Sequence, residues 1–497
     1  MELSWSRMLI YTVFASTLFV VIKRSTRWWL RYTLPPSSSL KTHSGIPVHP
    51  WVFYAEASKV QGALISLPRS LLGPPVIVVN TSAAASELLD KRSVFACRPN
   101  IPMAQLMGRQ NNVGFTFYGN RLREMRRVLH SLLSPSAVAN DWNHLIDSHS
   151  LELIDRLSKS PETFNQGIEV SLQEMIVCLT YGKKPDEEYI KIAKRVMHDT
   201  WTALQHNRWT VNAIPLLRYI PSWLPGAGFK RLASDAKERF ERMTREPFFA
   251  VKNEMLSGTI DPCFVRLALE DAQHSNSQAY EEAVMYSAGS LFSAGADTIS
   301  SFLLTFLLLM TRSQDIQRRA YEEIITTIGE QRLPCLSDQS SMPFLDAIIQ
   351  ETHRFHPPVP LATHSTYAED QYEGYRIPKK SWVLANIWAM THETTRYDQP
   401  EAFDPDRFIQ QPAASDPRMQ TFGFGRRQCP GLHLANAVIF LNVARILRSF
   451  AILPPLENGE PVLPPLNFMN AFISSPAPFR CRIIPRETAF VASSTFM

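Results

Sequence analysis

Phe422-Gly423-Phe424-Gly425-Arg426-Arg427-Gln428-Cys429-Pro430-Gly431 is the stretch on which the reading of this chain turns. Three glycines around one cysteine permit a tight turn in which backbone N–H groups approach the sulfur. Pro430 suits the first turn of a helix, where a missing N–H costs nothing. The pattern predicts a loop that feeds a helix from about Pro430 to Phe450. A helix N-terminus favours a thiolate, which makes Cys429 a candidate anionic ligand. A lone cysteine is ordinarily a buried structural thiol; the ten-residue pattern around it argues otherwise here.

Further upstream, Asp297 is the only charged residue between Glu282 and Arg312, with 14 uncharged residues on each side. A run of that length either crosses a membrane or lies buried on all sides in a large helical domain. An ionisable residue at its centre is a functional candidate in both settings. Ala294-Gly295-Ala296-Asp297-Thr298 joins small residues, which admit a ligand closely, to an acid and a hydroxyl able to relay protons. The plainer reading has Thr298 bonded back to its own helix and Asp297 paired with a cation. Glu351-Thr352-His353-Arg354 sets a carboxylate and a guanidinium on one helix face, a spacing that alone describes an ordinary surface pair.

Together these stretches resemble the cytochrome P-450 family, from about Pro35 to Arg482. Every fixed position of its haem-binding signature is matched, including Phe422, Gly423 and Gly431. The resemblance implies a P-450 fold holding haem b, with the Cys429 thiolate as axial ligand of the iron and Arg427 on a haem propionate. A thiolate donates electron density that favours O–O cleavage. Ala294 to Thr298 is similar to the family's oxygen-activation segment, which makes Asp297 and Thr298 the proton carriers. Glu351, Arg354 and Arg407, the last from the segment Pro400 to Phe408, match a structural cluster. Tyr118 to Arg127 resembles a helix whose Trp and Arg both meet a propionate; Arg126 keeps the cation, but Leu122 stands at the Trp position. His364 lies near the place of a residue on the second propionate. The basic helix would also help to dock a reductase.

The resemblance implies a monooxygenase that takes electrons from an NADPH-cytochrome reductase and inserts one oxygen atom of O2 into a small apolar substrate. Segments such as Tyr219 to Ala227 and Ala385 to Ala389 look most like fungal members that tailor secondary metabolites such as terpenoids. The alternatives are a redox-neutral haem-thiolate isomerase or dehydratase, and a membrane scaffold without catalysis. The acid–alcohol pair argues against the redox-neutral version, which has no dioxygen to protonate. Residues 154–263 carry no motif; in the family such a region forms much of the substrate roof.

With 497 residues, 45% hydrophobic and 20% charged, the chain is neither disordered nor a low-complexity fibre. The net charge of +5 is not gathered into basic blocks, so nucleic acid is not an expected partner. Six scattered cysteines without a CxxC pair fit reduced thiols rather than a zinc ribbon or a disulfide scaffold. Met8 to Ile22 is uncharged, and Lys23, Arg24, Arg27 and Arg31 follow, with Trp28 and Trp29 among them. Charges after the apolar run point to a retained anchor rather than a cleaved signal. The expected organisation is an anchor with its basic flank at 1–34, a Pro/Ser-rich connector at 35–50, and one large catalytic domain at 51–497. This implies a single-pass protein of the endoplasmic reticulum membrane with its catalytic domain in the cytosol. That domain is expected to be mainly α with small β-sheets: a strand at Val76 to Val79, a helix capped by Ser82, and helices from about Ser131 to Glu330. Short strands are expected at Tyr375 to Pro378, Trp382 to Ala385 and Phe479 to Ile484.

Overall fold

The uncharged run around Asp297 is a single 35-residue helix that the rest of the chain is wrapped around. The computed structural model describes residues 34–38, 49–67, 73–205, 208–258, 260–270, 277–410 and 416–486. The expected anchor, and the connector beyond residue 38, lie outside the described residues up to His49. The longer helices are α1 (Pro50–Gln61), α2 (Asn120–Leu132), α3 (Asn143–Lys159), α4 (Phe164–Tyr181), α5 (Glu187–Leu204), α6 (Gly228–Ser257), α7 (Gln278–Arg312), α8 (Gln314–Ile328), α9 (Pro343–Phe355) and α10 (Leu432–Ser449).

Of the two settings open to α7, the buried one holds: 78% of its most apolar window is covered by other parts of the fold. Leu303, Phe306, Leu307 and Leu308 are fully buried, each contributing about 1.5–3 kcal/mol relative to exposure. Two glycines set how closely its neighbours approach. A Cβ at Gly289 would lie 2.8 Å from Thr244 of α6, and one at Gly295 would lie 2.9 Å from Ile176 of α4. Gly295 therefore seats a neighbouring helix, and the expectation that it clears space for a ligand is corrected.

The main sheet has the order β1-β2-β6-β3, from Leu64–Ser66, Val76–Val79, Trp382–Asn386 and Leu361–Ser365. The β-branched run of β2 is almost wholly buried and pairs parallel to β6, with Val76 opposite Trp382. Antiparallel β3 sets His364 opposite Val383. The start of the expected connector is docked: Ser66 N donates to Pro36 O at 2.8 Å, and Ser38 N to Ser66 O at 3.0 Å. Pro50 already opens α1. Strands β4 (Asp370–Tyr372) and β5 (Tyr375–Ile377) form a hairpin, and β7 (Phe450–Leu453) pairs with the last strand among the described residues, Arg482–Pro485. The latter begins later than expected, because Phe479 and Cys481 pack on the helical core. The cap of the helix after β2 is Thr81, whose Oγ1 accepts from Ala84 N at 3.3 Å. Ser82 instead donates its N–H to Glu393 at 2.6 Å and accepts from Arg396 through its hydroxyl.

Candidate active site

The cysteine loop is held from three sides. Gly423 and Gly425 take φ of 78° and 47°, in the left-handed region that favours glycine. At Gly425 the need is also steric, since a Cβ would lie 2.5 Å from Leu89 O. Its N–H donates to Asp90 at 2.7 Å, and Cys429 N closes the loop on Phe422 O at 2.7 Å. The sulfur thus stands just before the first turn of α10. Burial pushes the Cys429 thiol up, while the Gly431 N–H and the nearby Arg126 charge pull the other way. Yet the residue keeps an exposed surface. A side chain that is desolvated by protein on most sides and still exposed faces space inside the fold.

Beside that space stand cations without acids. Arg427 donates to three backbone carbonyls, Ala96 and Thr116 at 2.6 Å and Val113 at 3.3 Å. Arg98 donates to Gly114 O at 2.8 Å and to Thr363 O. Arg126 projects half-buried from α2. Burial first, then Arg98, lowers the Arg427 pKa to about 9; burial, then Arg126, lowers that of Arg98 to about 10. His364 is nearly fully buried, with Nδ1 3.1 Å from Phe95 O, and burial followed by Arg98 lowers it to about 3. A neutral ring there bonds Phe95 through Nδ1–H and keeps Nε2 as an acceptor. No carboxylate pairs with Arg98, Arg126 or Arg427 among the described residues. Burying like charges together is costly unless an anion joins them. A haem, with two propionates and an iron that takes a thiolate, fits this donor set.

Sequence reasoning missed Arg98. Its only signal is a cation between Cys97 and Pro99 in an otherwise apolar stretch; the bridges of Ala96 and Cys97 to Ser365 of β3 bring it to the site. Leu122 is buried in the main helical core one turn before Arg126, with no donor to offer. The Phe422 ring lies 5.3 Å from that of His353. His353 is also unanticipated: it is buried between Phe422 and Phe302, and neither ring nitrogen has a partner among the described residues.

On α7, Ala294 is exposed in the middle of a helix that is otherwise mostly buried, so this face too opens on interior space. Thr298 lies one turn on and donates to Ala294 O at 3.0 Å. The back-bonded alternative therefore describes its hydroxyl proton, while the oxygen remains free to accept. For Asp297 the plainer alternative fails, since no cation lies within ion-pair distance among the described residues. Its carboxyl is raised by burial and then by Glu169, with Lys194 opposing.

Glu351, Arg354 and Arg407 come together as expected. Arg354 holds Glu351 with two bonds of 2.7 and 2.8 Å, and Arg407 Nε stands 3.1 Å from Glu351 Oε2. The remaining Arg354 donors reach Pro400 O at 2.8 Å, Ala402 O at 3.0 Å and Thr391 O at 3.2 Å. The cluster fastens α9 to the segment that follows β6.

Comparison with known proteins matches this arrangement. The family model described as Cytochrome P450 matches residues 47–480. Cytochrome P450 monooxygenase ppsD of Aspergillus oryzae is 33% identical over 465 residues, covering 91% of this chain and 86% of the relative. Cytochrome P450 monooxygenase claR of Ampulloclitocybe clavipes is 30% identical over 481 residues, covering 92% of this chain and 88% of its own. A zebrafish cytochrome P450 solved with progesterone shares the fold at a TM-score of 0.73 and 23% identity, over 88% of this chain and 100% of that one.

Proposed function

The chain belongs to the cytochrome P450 family, and from that premise we propose the part that each of its own residues plays. It is a haem-thiolate monooxygenase, an oxidoreductase that consumes O2 and electrons from a redox partner. When bound, haem supplies the oxidising chemistry: with O2, two electrons and two protons it places one oxygen atom in the substrate and releases the other as water.

Cys429 is the residue that would ligate the iron, and Phe422, Gly423, Gly425 and Gly431 shape the loop that presents it. Arg427, Arg98 and Arg126 would hold the propionates, with His364 beside them. Arg427 has a second duty, since its bonds to Ala96, Val113 and Thr116 keep the loop in register with the segment that carries Arg98. Asp297 carries a proton inward from its flank of α7, and the Thr298 oxygen accepts a hydrogen bond at the face of Ala294 and orients what is bound there. Glu351, Arg354 and Arg407 keep the core beneath the cysteine loop rigid. The observation that carries this reading is an acid-free set of arginines next to a cysteine that faces interior space.

The finer assignments follow from the same premise. We take an NADPH-cytochrome reductase as the electron donor and an apolar secondary metabolite such as a terpenoid as the substrate, in a chain whose relatives are fungal monooxygenases. The site of action is the endoplasmic reticulum membrane, entered once by Met8 to Ile22, with the catalytic domain in the cytosol. Membrane contact is supported by Leu216, Tyr219 and Trp223, each at least 75% exposed. No acid occurs between Asp199 and Asp235, whereas Arg208, Arg218, Lys230 and Arg231 do.

The reduced, carbon-monoxide-bound difference spectrum tests the assignment. A strongly red-shifted Soret band in the parent, lost in Cys429→Ala together with product formation, is expected. Product formation that survives Cys429→Ala would overturn it. For the proton carriers, the fraction of NADPH electrons that reach product is expected to fall several-fold in Asp297→Asn and in Thr298→Ala.

A further inference from the structure

Arg109 is a buried cation that no acid answers. Gly108, just before it, takes a φ of 74°, in the left-handed region. A Cβ there would lie 3.3 Å from Lys237 and 3.4 Å from Phe240 of α6, so glycine lets the chain lie close against that helix. Arg109 follows directly and is 3% exposed. Its guanidinium carbon stands 4.7 Å from the centroid of the Phe240 ring and 5.6 Å from that of Phe115. Nε and Nη1 have no hydrogen-bond partner among the described residues.

The nearby acids are already engaged. Asp199 of α5 attracts Arg109, but it is held by Arg239 at 2.8 Å and stands 3.6 Å from Arg195. Glu241, next to Phe240 on α6, accepts from the Tyr286 hydroxyl at 3.3 Å. No ion pair joins either acid to Arg109 among the described residues. Burial lowers the Arg109 pKa to about 10, with Asp199 opposing, so the side chain stays charged at neutral pH. Two aromatic rings offset part of the desolvation cost. The partnerless nitrogens leave the rest uncompensated. The same segment leads from Arg109 to the site. Asn112 Nδ2 donates to Ser293 at 3.3 Å and Val113 N to Ser290 at 3.0 Å, both on α7 within the turn before Ala294, and Val113 O accepts from Arg427. Phe240 is fully buried, whereas Phe115 is half-buried beside exposed Gly114, whose carbonyl accepts from Arg98. The less tightly closed side of Arg109 is therefore the side of Phe115.

We infer that Arg109 anchors a carboxylate on the substrate, so that the enzyme takes an apolar acid whose charged end lies at Arg109 and whose body extends toward the face of Ala294 and Thr298. This deepens the monooxygenase reading and rests on it. One guanidinium balances one negative charge, which fits a carboxylate; a phosphate group carries nearly two. The acid completes the hydrogen bonding that Nε and Nη1 lack, and it enters past Phe115 while Phe240 stays as the fixed wall behind the cation. With aromatic rings on both sides of the anchor, the part of the ligand next to its acid is apolar.

The test uses the full-length holoenzyme and equilibrium dialysis, at neutral pH, of lauric, palmitic and abietic acids, each beside its methyl ester. The ester is the more apolar of each pair and is favoured by burial alone. A preferred acid therefore reports a cation. At least one acid is expected to bind the parent about 10- to 100-fold more tightly than its ester, Arg109→Met to lose that preference, and Arg109→Lys to keep part of it. Without ligand, the thermal midpoint of Arg109→Met is expected to rise by about 1–3 °C, because an unpaired charge has left the core. Esters bound by the parent as tightly as all three acids, or a preference for acid that survives in Arg109→Met, would overturn the anchor. A midpoint that falls in Arg109→Met, with acid and ester bound alike, would show that the guanidinium only braces Phe240 against Phe115. If the anchor fails while the parent shows the red-shifted carbon-monoxide band, the monooxygenase reading stands. A parent without that band would sink the reading itself, and the anchor with it.

Discussion

Two groups of buried and half-buried arginines hold this molecule together, and they solve the problem of a desolvated charge in opposite ways. Arg354 and Arg407 close on one carboxylate, Glu351, and Arg354 spends its other donors on backbone carbonyls. Among the described residues Arg98, Arg126 and Arg427 have no carboxylate, and the pKa values of Arg98 and Arg427 fall because burial and like charges act together. The first group is complete within the chain. The second is complete only when a dianion arrives, so its cost in the empty fold is returned as affinity for that ligand. Self-closure marks a charge cluster that braces the fold, and an unanswered excess of one sign marks a cluster that binds.

The largest test breaks the closed group. Glu351→Ala leaves two buried guanidiniums without their carboxylate, which costs about 3–5 kcal/mol and is expected to abolish recovery of folded, haem-bearing protein. Glu351→Gln keeps the shape but not the charge and is expected to be intermediate on denaturation. In the open group the expected effect differs in kind. Arg98→Leu removes a repelling cation, so its denaturation midpoint should change far less than that of Glu351→Ala. Haem transfer to an acceptor globin should accelerate about 10- to 100-fold, the worth of one charge-assisted bond. Equal losses of stability and haem retention in both variants would erase the distinction.

The closed group was legible through the family resemblance of its two segments, since the Glu351–Arg354 spacing alone describes an ordinary surface pair. Asp297 was legible for a different reason: one acid in a long uncharged run stands out whatever surrounds it. The β-branched run of β2 likewise declared itself, with Val76 and Val79 as its ends. Arg98 was not legible, since its role depends on bridges between Ala96, Cys97 and Ser365, residues far apart in sequence. Gly295 was misread because a sequence gives a glycine its freedom but not its direction; the phase of α7 points the missing Cβ at Ile176. Thr81 and Ser82 are equally good caps by type, and the distant Glu393 and Arg396 decide between them by engaging Ser82.

The two groups should also separate with pH. His353 lies against Phe422 near the closed group and His364 among the open cations, and both are lowered from 6.5 to about 3 by burial. A histidine kept neutral binds fewer protons in the folded chain than in the unfolded one. Its effect on stability is nil above pH 6.5 and grows as pH falls from 6.5 toward 3, by up to about 1.4 kcal/mol per pH unit. In the holoenzyme, propionates beside His364 counter Arg98 and Arg427 and bring its pKa back up, whereas nothing does so for His353. Between about pH 7 and pH 5, His353→Leu is therefore expected to flatten the loss of stability more than His364→Leu does, as read from denaturation midpoints. The reverse order would place the cofactor carboxylates away from His364.

The smallest effect concerns Leu122, where the resemblance calls for an indole. Leu122→Trp would add a neutral donor worth about 0.5–1.5 kcal/mol if it reached a propionate. Leu122 is buried with Met125, Val128 and Leu129 in the main core, and enlarging a side chain in such a place costs about 1–3 kcal/mol. Arg98, Arg126 and Arg427 already supply cations to the same ligand, so one further donor adds little to its retention. Overpacking should win. The variant is expected to lose about 1 kcal/mol of stability while its haem-transfer rate stays within about threefold of the parent. Haem transfer slowed tenfold or more would mean that the open group is one donor short, and that its three arginines do not by themselves satisfy the dianion.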